Sequence, residues 1–451
     1  MIPDKFAYIE TFGCQMNERD SEIMGQLLDE ASYAPTTELS KADIVIINTC
    51  SIRGKAEQKA FSFLGTLKKI KQKKPGLIVA VAGCVAQQEG KKIIERMPYV
   101  DIVLGPQNIY QIKNVVKKSL HNNAALSKVF TQLNNNYTIP AFLPSPKNKA
   151  LPAHKRFVTI MQGCNNFCTY CVVPYTRGRE VSRPVDDIIN EIQHLVGNGV
   201  KEITLLGQNV NSYGLDKKEN SITFPELLHK VAAIHGLKRL RFTTSNPKDL
   251  SEELMRIFQN IDILCPHFHL PVQSGSDSVL KRMNRKYTVA SYLEKIDQLR
   301  KYCPDISITT DIIVGFPGET DEDFESTMEL LENVRYHSSF SFKYSDRPHT
   351  KSAAFTDKVE KNTKIARLSR LQKRQEQITL ERNQHYIGKT LEVMVEGESK
   401  NAAGQISGRT GTNHIVNFTT APSPAHFQPG ELVDVVIEEA CLHSLRGKVV
   451  Q

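Results

Sequence analysis

Tryptophan is absent from this 451-residue chain and only 7% of it is aromatic, so stacking on a planar ligand must use Tyr, Phe, His or Arg. Long apolar runs are missing too. The longest uncharged apolar stretch, Gly76 to Ala86, falls well short of the ~18 residues that cross a bilayer. The start, MIPDKFAYIETFGC, lacks the charged-then-apolar layout of a secretory leader. Neither an internal repeat nor a long low-complexity tract is visible. These absences argue against a membrane protein and a repeat array. The expectation is a soluble, cytoplasmic, monomeric protein.

With 40% hydrophobic and 24% charged residues, the chain has enough apolar material for about three domains of ~150 residues. The net charge of +9 permits an acidic partner such as RNA without requiring one. Nine cysteines are an odd number in a chain without an export signal. In a reducing compartment they are more often metal ligands or nucleophiles than disulfides.

Residues 1–120 alternate apolar strands (6–12, 42–48, 77–83) with helical stretches (18–30, 54–73, 87–96), the pattern of a doubly wound parallel sheet. Residues 121–155, broken by Pro140, Pro144, Pro146 and Pro152, are expected to form a linker. Across 156–385 the alternation resumes. Strands are expected near 157–162, 201–206, 238–243, 267–272, 308–314 and 338–343, with helices at 185–198, 225–235, 249–259, 289–302 and 321–334. Six such units suggest a partial (β/α)6 barrel, whose functional residues belong at the carboxyl ends of the strands. Between Lys361 and Lys389 four Lys and four Arg face Glu376 and Glu381 in a basic helix. Residues 386–451 then give five short strands separated by Gly and Asn turns, a small β-barrel of the oligonucleotide-binding kind.

Six cysteines carry chemistry. GCNNFCTYC places Cys164, Cys168 and Cys171 in C-x-x-x-C-x-x-C directly after a strand. Three thiolates suit one face of an iron–sulfur cubane and leave the fourth iron open to a ligand. A zinc knuckle is the alternative; it needs a fourth ligand, for which His154 is the nearest candidate. Cys14, Cys50 and Cys84 each follow one of the three apolar strands. On a parallel sheet those ends share one edge, so the three can converge; three unrelated buried thiols are the bland alternative. Cys265, Cys303 and Cys441 have no ligand spacing and read as structural.

From the Cys164 loop onward the chain resembles radical S-adenosylmethionine (SAM) enzymes. With both triplets placed, the whole chain resembles the methylthiotransferase family, through TFGCQMNERDSE, NTCSIRGKAEQK, GCVAQQEG, GCNNFCTYCVVPYTRGREVSRP, LLGQNVNSYG, LPVQSGSD, TDIIVGFPGETDEDF and SLRGKVV. That resemblance implies two 4Fe–4S clusters, one on each cysteine triplet, and SAM as both methyl donor and source of a 5′-deoxyadenosyl radical. It implies methylthiolation at carbon 2 of N6-isopentenyladenosine beside the tRNA anticodon. An electron donor, flavodoxin- or ferredoxin-like, and a sulfur donor are implied as well. Gly54 and Asn246 depart from the pattern expected after CSIR and TTS.

By the same resemblance, the cofactor pocket is expected at Gln208 and Asn209, at Gln273 and Ser274, and at the GFPGE turn with Gly315, Pro317, Gly318 and Glu319. Taken alone, that turn is equally an ordinary loop. His267 and His269 share a strand face and read as core histidines. The C-terminal barrel resembles the TRAM domain, an RNA-binding module, making Arg409, His414, Arg446 and Lys448 candidate phosphate contacts. The lysine run 68–74 reads as a solvated face. Two rivals remain open. One is a sister enzyme acting on N6-threonylcarbamoyladenosine or on a ribosomal-protein aspartate; the other is a non-catalytic iron–sulfur RNA-binding protein. A cobalamin-dependent radical methylase is disfavoured because the first 120 residues lack a D-x-H-x-x-G motif.

Overall fold

The computed structural model describes every residue except 1–4, 52–53, 122–128, 145–152, 217–221, 400–403, 420–426 and 451. Its first part is a parallel sheet built from β1 (Lys5–Phe12), β2 (Tyr33–Pro35), β3 (Ile44–Thr49), β4 (Ile78–Gly83), β5 (Ile102–Leu104) and β6 (Val129–Phe130), in the order β2-β1-β3-β4-β5-β6. Strand alternation sends Ile44 and Ile46 to one face, against α1 (Gln15–Asp29). Val45 and Ile47 point to the other, against α2 (Gly54–Lys73). Two apolar faces require helices on both sides, hence the doubly wound form. The helix expected at 87–96 is two helices, α3 (Cys84–Glu89) and α4 (Lys91–Arg96), separated by Gly90 at φ 51°. After β5, α5 (Ile112–His121) packs beside α1.

The stretch expected as a linker is partly structural. Val129–Phe130 pair with β5, and Phe142 packs into the α1 side of the core. Pro146 and Pro152 lie outside the described residues.

The second part carries β7 (Lys155–Thr159), β8 (Met161–Gln162), α6 (Val173–Thr176), β9 (Val181–Ser182), α7 (Val185–Gly197), β10 (Glu202–Leu206), α8 (Phe224–Ala232), β11 (Arg239–Thr243) and α9 (Glu252–Asn260). It continues with β12 (His267–His269), α10 (Asp277–Arg282), α11 (Val289–Tyr302), β13 (Ser307–Val314), α12 (Asp321–Val334), β14 (Ser338–Lys343) and α13 (Lys361–Gln384). Parallel strands run β7-β10-β11 and β12-β13-β14, and the two sets meet at the Leu240–Leu264 bridge. These are the six expected strands of a partial barrel. Among the described residues no pairing joins β14 back to β7. Two boundaries differ from expectation. The ladder expected to run to Val272 stops at His269, because Pro271 has no N–H to donate. The first strand breaks at Ile160, after which β8 pairs antiparallel with β9 and leads the chain into the cysteine loop.

The third part is a closed barrel, β15 (Thr390–Glu398), β16 (Ile406–Thr410), β17 (Ile415–Thr419), β18 (Leu432–Ala440) and β19 (Leu445–Val449), in the order β15-β16-β17-β19-β18. Val393, Val395, Val416, Phe418, Val435, Ile437 and Leu445 fill it.

Candidate cluster and cofactor site

Register fixes the first thiol set. Phe12 pairs with Thr49 and Thr49 with Gly83, so Cys14, Cys50 and Cys84 leave the sheet at one edge, where strand order reverses between β1 and β3. Asn17 Oδ1 lies 3.3 Å from Cys14 Sγ, while Asn17 Nδ2 donates to Asn48 Oδ1 at 2.9 Å. That pair ties the Cys14 turn to the end of β3. A side chain at Gly83 (φ 93°) would meet Asn48 Oδ1 and Thr49 O at 2.4 Å, so only glycine lets β4 deliver Cys84 here. A hydrogen bond with Cys50, aided by the Arg177 guanidinium, outweighs burial and holds Cys14 down at about 6. Burial pushes Cys84 up, with Arg177 opposing.

Arg177 belongs to the other domain, six residues beyond Cys171. Its Nη2 donates to Asp20 Oδ2 at 2.7 Å, and its Nη1 is buried without a hydrogen bond. Its backbone carbonyl faces Gln107 Nε2 and Gln162 Nε2. One residue therefore links the two cysteine regions, and the sequence reading missed it.

The second set follows β8. Cys164 N donates to Gly178 O at 3.2 Å, Cys171 N to Cys168 O at 3.0 Å, and Arg285 Nη1 reaches Cys168 Sγ at 3.4 Å. Burial pushes Cys164 up and Cys171 up to about 12. Among the described residues no three His, Cys, Asp or Glu side chains are grouped tightly enough to hold a single metal ion. A cubane is a different fit: each of its three thiolates binds a different iron. Two all-sulfur sets beside the buried cation Arg177 and the half-buried cation Arg285 suit such an anionic cluster. His154 precedes β7 at the opposite end of the barrel, below Gly430, and cannot complete a zinc site with this loop.

The expected cofactor residues divide. Asn209 Nδ2 donates to Asp249 Oδ2 at 2.7 Å, leaving Asn209 Oδ1 buried without a partner; Ser245 Oγ, past β11, is another buried orphan. Such acceptors at carboxyl strand ends fit a polar cofactor. Gln273 is buried at φ 72°, a strained conformation for a non-glycine residue. Others are already engaged. Gln208 Oε1 accepts from Gly163 N at 2.6 Å, bracing the cysteine loop. Ser274 Oγ faces Thr327 and accepts from Ser276 N. Glu319 Oε1 accepts from Gly315 N at 2.8 Å and from Arg367 Nη1 at 2.6 Å. Side chains at Gly315 and Gly318 would strike Lys364 and Asp357, so these glycines admit the chain around α13. Of the two departures, Asn246 caps the turn 247–249 and Gly54 opens α2 into free space. His267 and His269 both face Thr309 Oγ1 and are half-buried, while Phe268 between them is buried on the other face.

The expected RNA contacts divide. Arg409 turns inward to Glu396 and Asn413, while its carbonyl accepts from Arg239. His414 lies between His337, edge-on at 5.6 Å, and Tyr386, tilted at 4.9 Å. Arg446 and Lys448 remain exposed, paired with Glu439 and Glu438. On α13, Arg367, Arg370 and Arg374 bind Asp321, Glu325 and Glu332 on or beside α12. Three of the eight basic residues in 361–389 are thus paired with the acidic helix. Two exposed aromatics lie at the cysteine loop: Phe167 and Tyr175 stand 6.4 Å apart, with Arg179 over Phe167 at 5.4 Å and His349 6.5 Å from Tyr175.

Fold and site define a radical SAM enzyme. The Radical SAM superfamily model matches residues 158–331, Uncharacterized protein family UPF0004 matches 6–105 and the TRAM domain matches 384–450. The chain is 56% identical over 449 residues to the tRNA-2-methylthio-N(6)-dimethylallyladenosine synthase of Desulfotalea psychrophila, covering 98% of each. It is 48% identical over 452 residues to that of Syntrophus aciditrophicus, covering 100% of this chain and 95% of the relative. The chain belongs to the tRNA-2-methylthio-N(6)-dimethylallyladenosine synthase family. Among solved structures, the radical SAM methyltransferase TsrM from Kitasatospora setae shares the fold at TM-score 0.58 and 11% identity, covering 78% of this chain and 75% of TsrM.

Proposed function

We propose that the protein transfers a methylthio group to carbon 2 of N6-dimethylallyladenosine (isopentenyladenosine) in tRNA, using SAM and two 4Fe–4S clusters. When bound, the clusters and SAM supply the electron, the radical, the methyl group and the site for sulfur. Cys164, Cys168 and Cys171 would hold one cluster, and Cys14, Cys50 and Cys84 the other. Asn209, Ser245 and Gln273 would meet the polar groups of SAM.

One observation carries the reading: one thiol triplet ends three neighbouring strands of the first sheet, the other fills the loop after β8, and Arg177, six residues beyond that loop, reaches the first triplet through Asp20 and Cys84. Cys14, Cys50 and Cys84 would hold the centre that supplies the site for sulfur, and Cys164, Cys168 and Cys171 the centre that supplies the electron for the radical. The chain's part is to fix their separation, exclude water and hold the base. An electron donor of flavodoxin or ferredoxin type and a sulfur donor complete the reaction, in the cytoplasm and on a monomeric enzyme. No described helix is long and apolar enough to cross a membrane. The Phe167–Tyr175–His349 surface with Arg179 would stack anticodon-loop bases beside the target.

Anaerobic reconstitution tests the metal assignment: about eight irons are expected. Replacing either triplet by alanine should halve that content, and stoichiometric zinc without a brown chromophore would refute it. Mass spectrometry of tRNA nucleosides after incubation with SAM tests the product. Replacing Cys14, Cys50 and Cys84 should abolish it yet spare SAM cleavage.

A further inference from the structure

The barrel interior carries an apolar wall that the cluster chemistry does not use. On β13, Ile308, Ile312 and Val314 pack outward against the helices, which turns Thr309, Asp311 and Ile313 to the opposite, inner face. Register places Phe340 beside Asp311 and Phe342 beside Ile313 on β14, and His269 beside Thr309 on β12. Phe340 is 50% exposed and Phe342 38%, on a strand with no described neighbour beyond it. Ile313 packs in the group that includes Tyr170 of the cysteine loop, so the wall runs up to that loop. Next to the phenyl rings are polar groups. His269 stands edge-on to Phe340 at 6.0 Å, 3.6 Å from Asp311 Oδ1 and 3.0 Å from Thr309 Oγ1.

Two neighbouring phenylalanines left open to solvent inside a barrel ask for an apolar ligand. Resting on the functional reading above, we infer that Phe340 and Phe342 seat the five-carbon N6 substituent of the target base, with Asp311 and His269 meeting the polar edge of the purine. Charge favours this occupant over the rival one. A threonylcarbamoyl group would bring a second carboxylate to Asp311, whereas a dimethylallyl chain is neutral and matches the rings. The wall would thus discriminate between modified and unmodified adenosine.

The test compares two labelled anticodon stem-loops, one with N6-dimethylallyladenosine and one with adenosine at the target position, binding to full-length, cluster-loaded protein by fluorescence anisotropy. Wild type should prefer the prenylated probe by about tenfold or more, the range for several methylenes in an apolar pocket. The double variant Phe340→Ala, Phe342→Ala should bind both probes about as weakly as wild type binds the unmodified one. Phe340→Leu and Phe342→Leu, which keep the wall apolar and the fold undisturbed, should retain most of the preference. Equal affinities in a wild type that still converts the prenylated probe would overturn the inference, as would a double variant with its preference intact. A wild type that fails to methylthiolate the prenylated probe would overturn the functional reading, and the inference with it.

Discussion

Arg177 and Asp20 are both buried charges, and each is tolerable only because of the other. Replacing Arg177 by Gln strands Asp20 in a low-dielectric pocket and removes the cation beside Cys14 and Cys84. A loss of about 3–5 kcal/mol is expected in a denaturant titration. Iron should be lost first from the N-terminal set, which absorption of a variant lacking Cys164, Cys168 and Cys171 can report. An unchanged midpoint would show that the pair is not buried in solution. Glu180 offers a pH test. Burial, against a hydrogen bond from Ser212 Oγ, lifts its carboxyl to about 7. An acid whose pKa is higher folded than unfolded favours the fold most below the unfolded value near 4.5, and that contribution is lost as pH rises through about 7. Glu180→Gln should therefore gain roughly 1–2 kcal/mol over wild type at pH 8 and nothing at pH 4.5. Parallel stability curves between those limits would contradict it. At this scale the cysteines were legible, because spacing and strand-end position are sequence properties. Arg177 and Asp20 were not: their pairing joins residues 157 apart in different domains.

Element by element, α1 and α7 meet across the two domains through charge. Glu191 on α7, fully buried, takes Arg19 Nη2 and Arg183 Nη1, while Arg19 Nη1 also reaches Glu22 at 2.6 Å and its guanidinium lies over Phe142 at 4.9 Å. A helix read alone shows Arg19 and Glu22 as an ordinary surface pair three residues apart. Only the docking of the barrel buries them. The same blindness explains α13, a basic helix in sequence, three of whose arginines pair with acidic residues of α12. Long elements were legible from apolar periodicity, but the two- and three-residue strands β2, β5 and β6 carry too little pattern to be seen. If the α1–α7 network fixes the distance between the two cysteine sets, Glu191→Gln should cost about 3 kcal/mol or more. It should also uncouple the reaction, raising SAM cleaved per methylthiolated product while SAM affinity holds. Unchanged coupling in a destabilised variant would reduce the network to a purely structural role.

At the scale of the whole molecule, the C-terminal barrel plugs the amino-end mouth of the central one. Arg241 donates to Gly411 O and Thr410 O at 2.8 and 2.7 Å, and Arg239 donates to Glu392 and to Arg409 O. Removing residues 386–451 would leave Arg239 without these partners and Arg241 with Glu202 alone, so the truncated chain should be destabilised as well as poor at binding RNA. Beside this contact His337 and His414 meet edge-on. Both nitrogens of His337 face N–H donors, from Ile308 and Arg382. Burial, reinforced by Arg382, lowers His337 to about 2 and His414 to about 4. A histidine whose pKa is lower folded than unfolded leaves the unfolded chain binding more protons below pH 6.5, the ordinary histidine value. Stability from the neutral pair is therefore complete above pH 6.5 and is lost as pH falls toward 4, by roughly 2–3 kcal/mol for His414. His414→Gln, which keeps a polar group near Thr412 without a titrating ring, should flatten that fall relative to wild type. Urea midpoints at pH 7.5, 6 and 5 decide it: the two proteins should converge as the solution becomes more acid, and a constant gap would mean that the interface does not sense the charge of this ring.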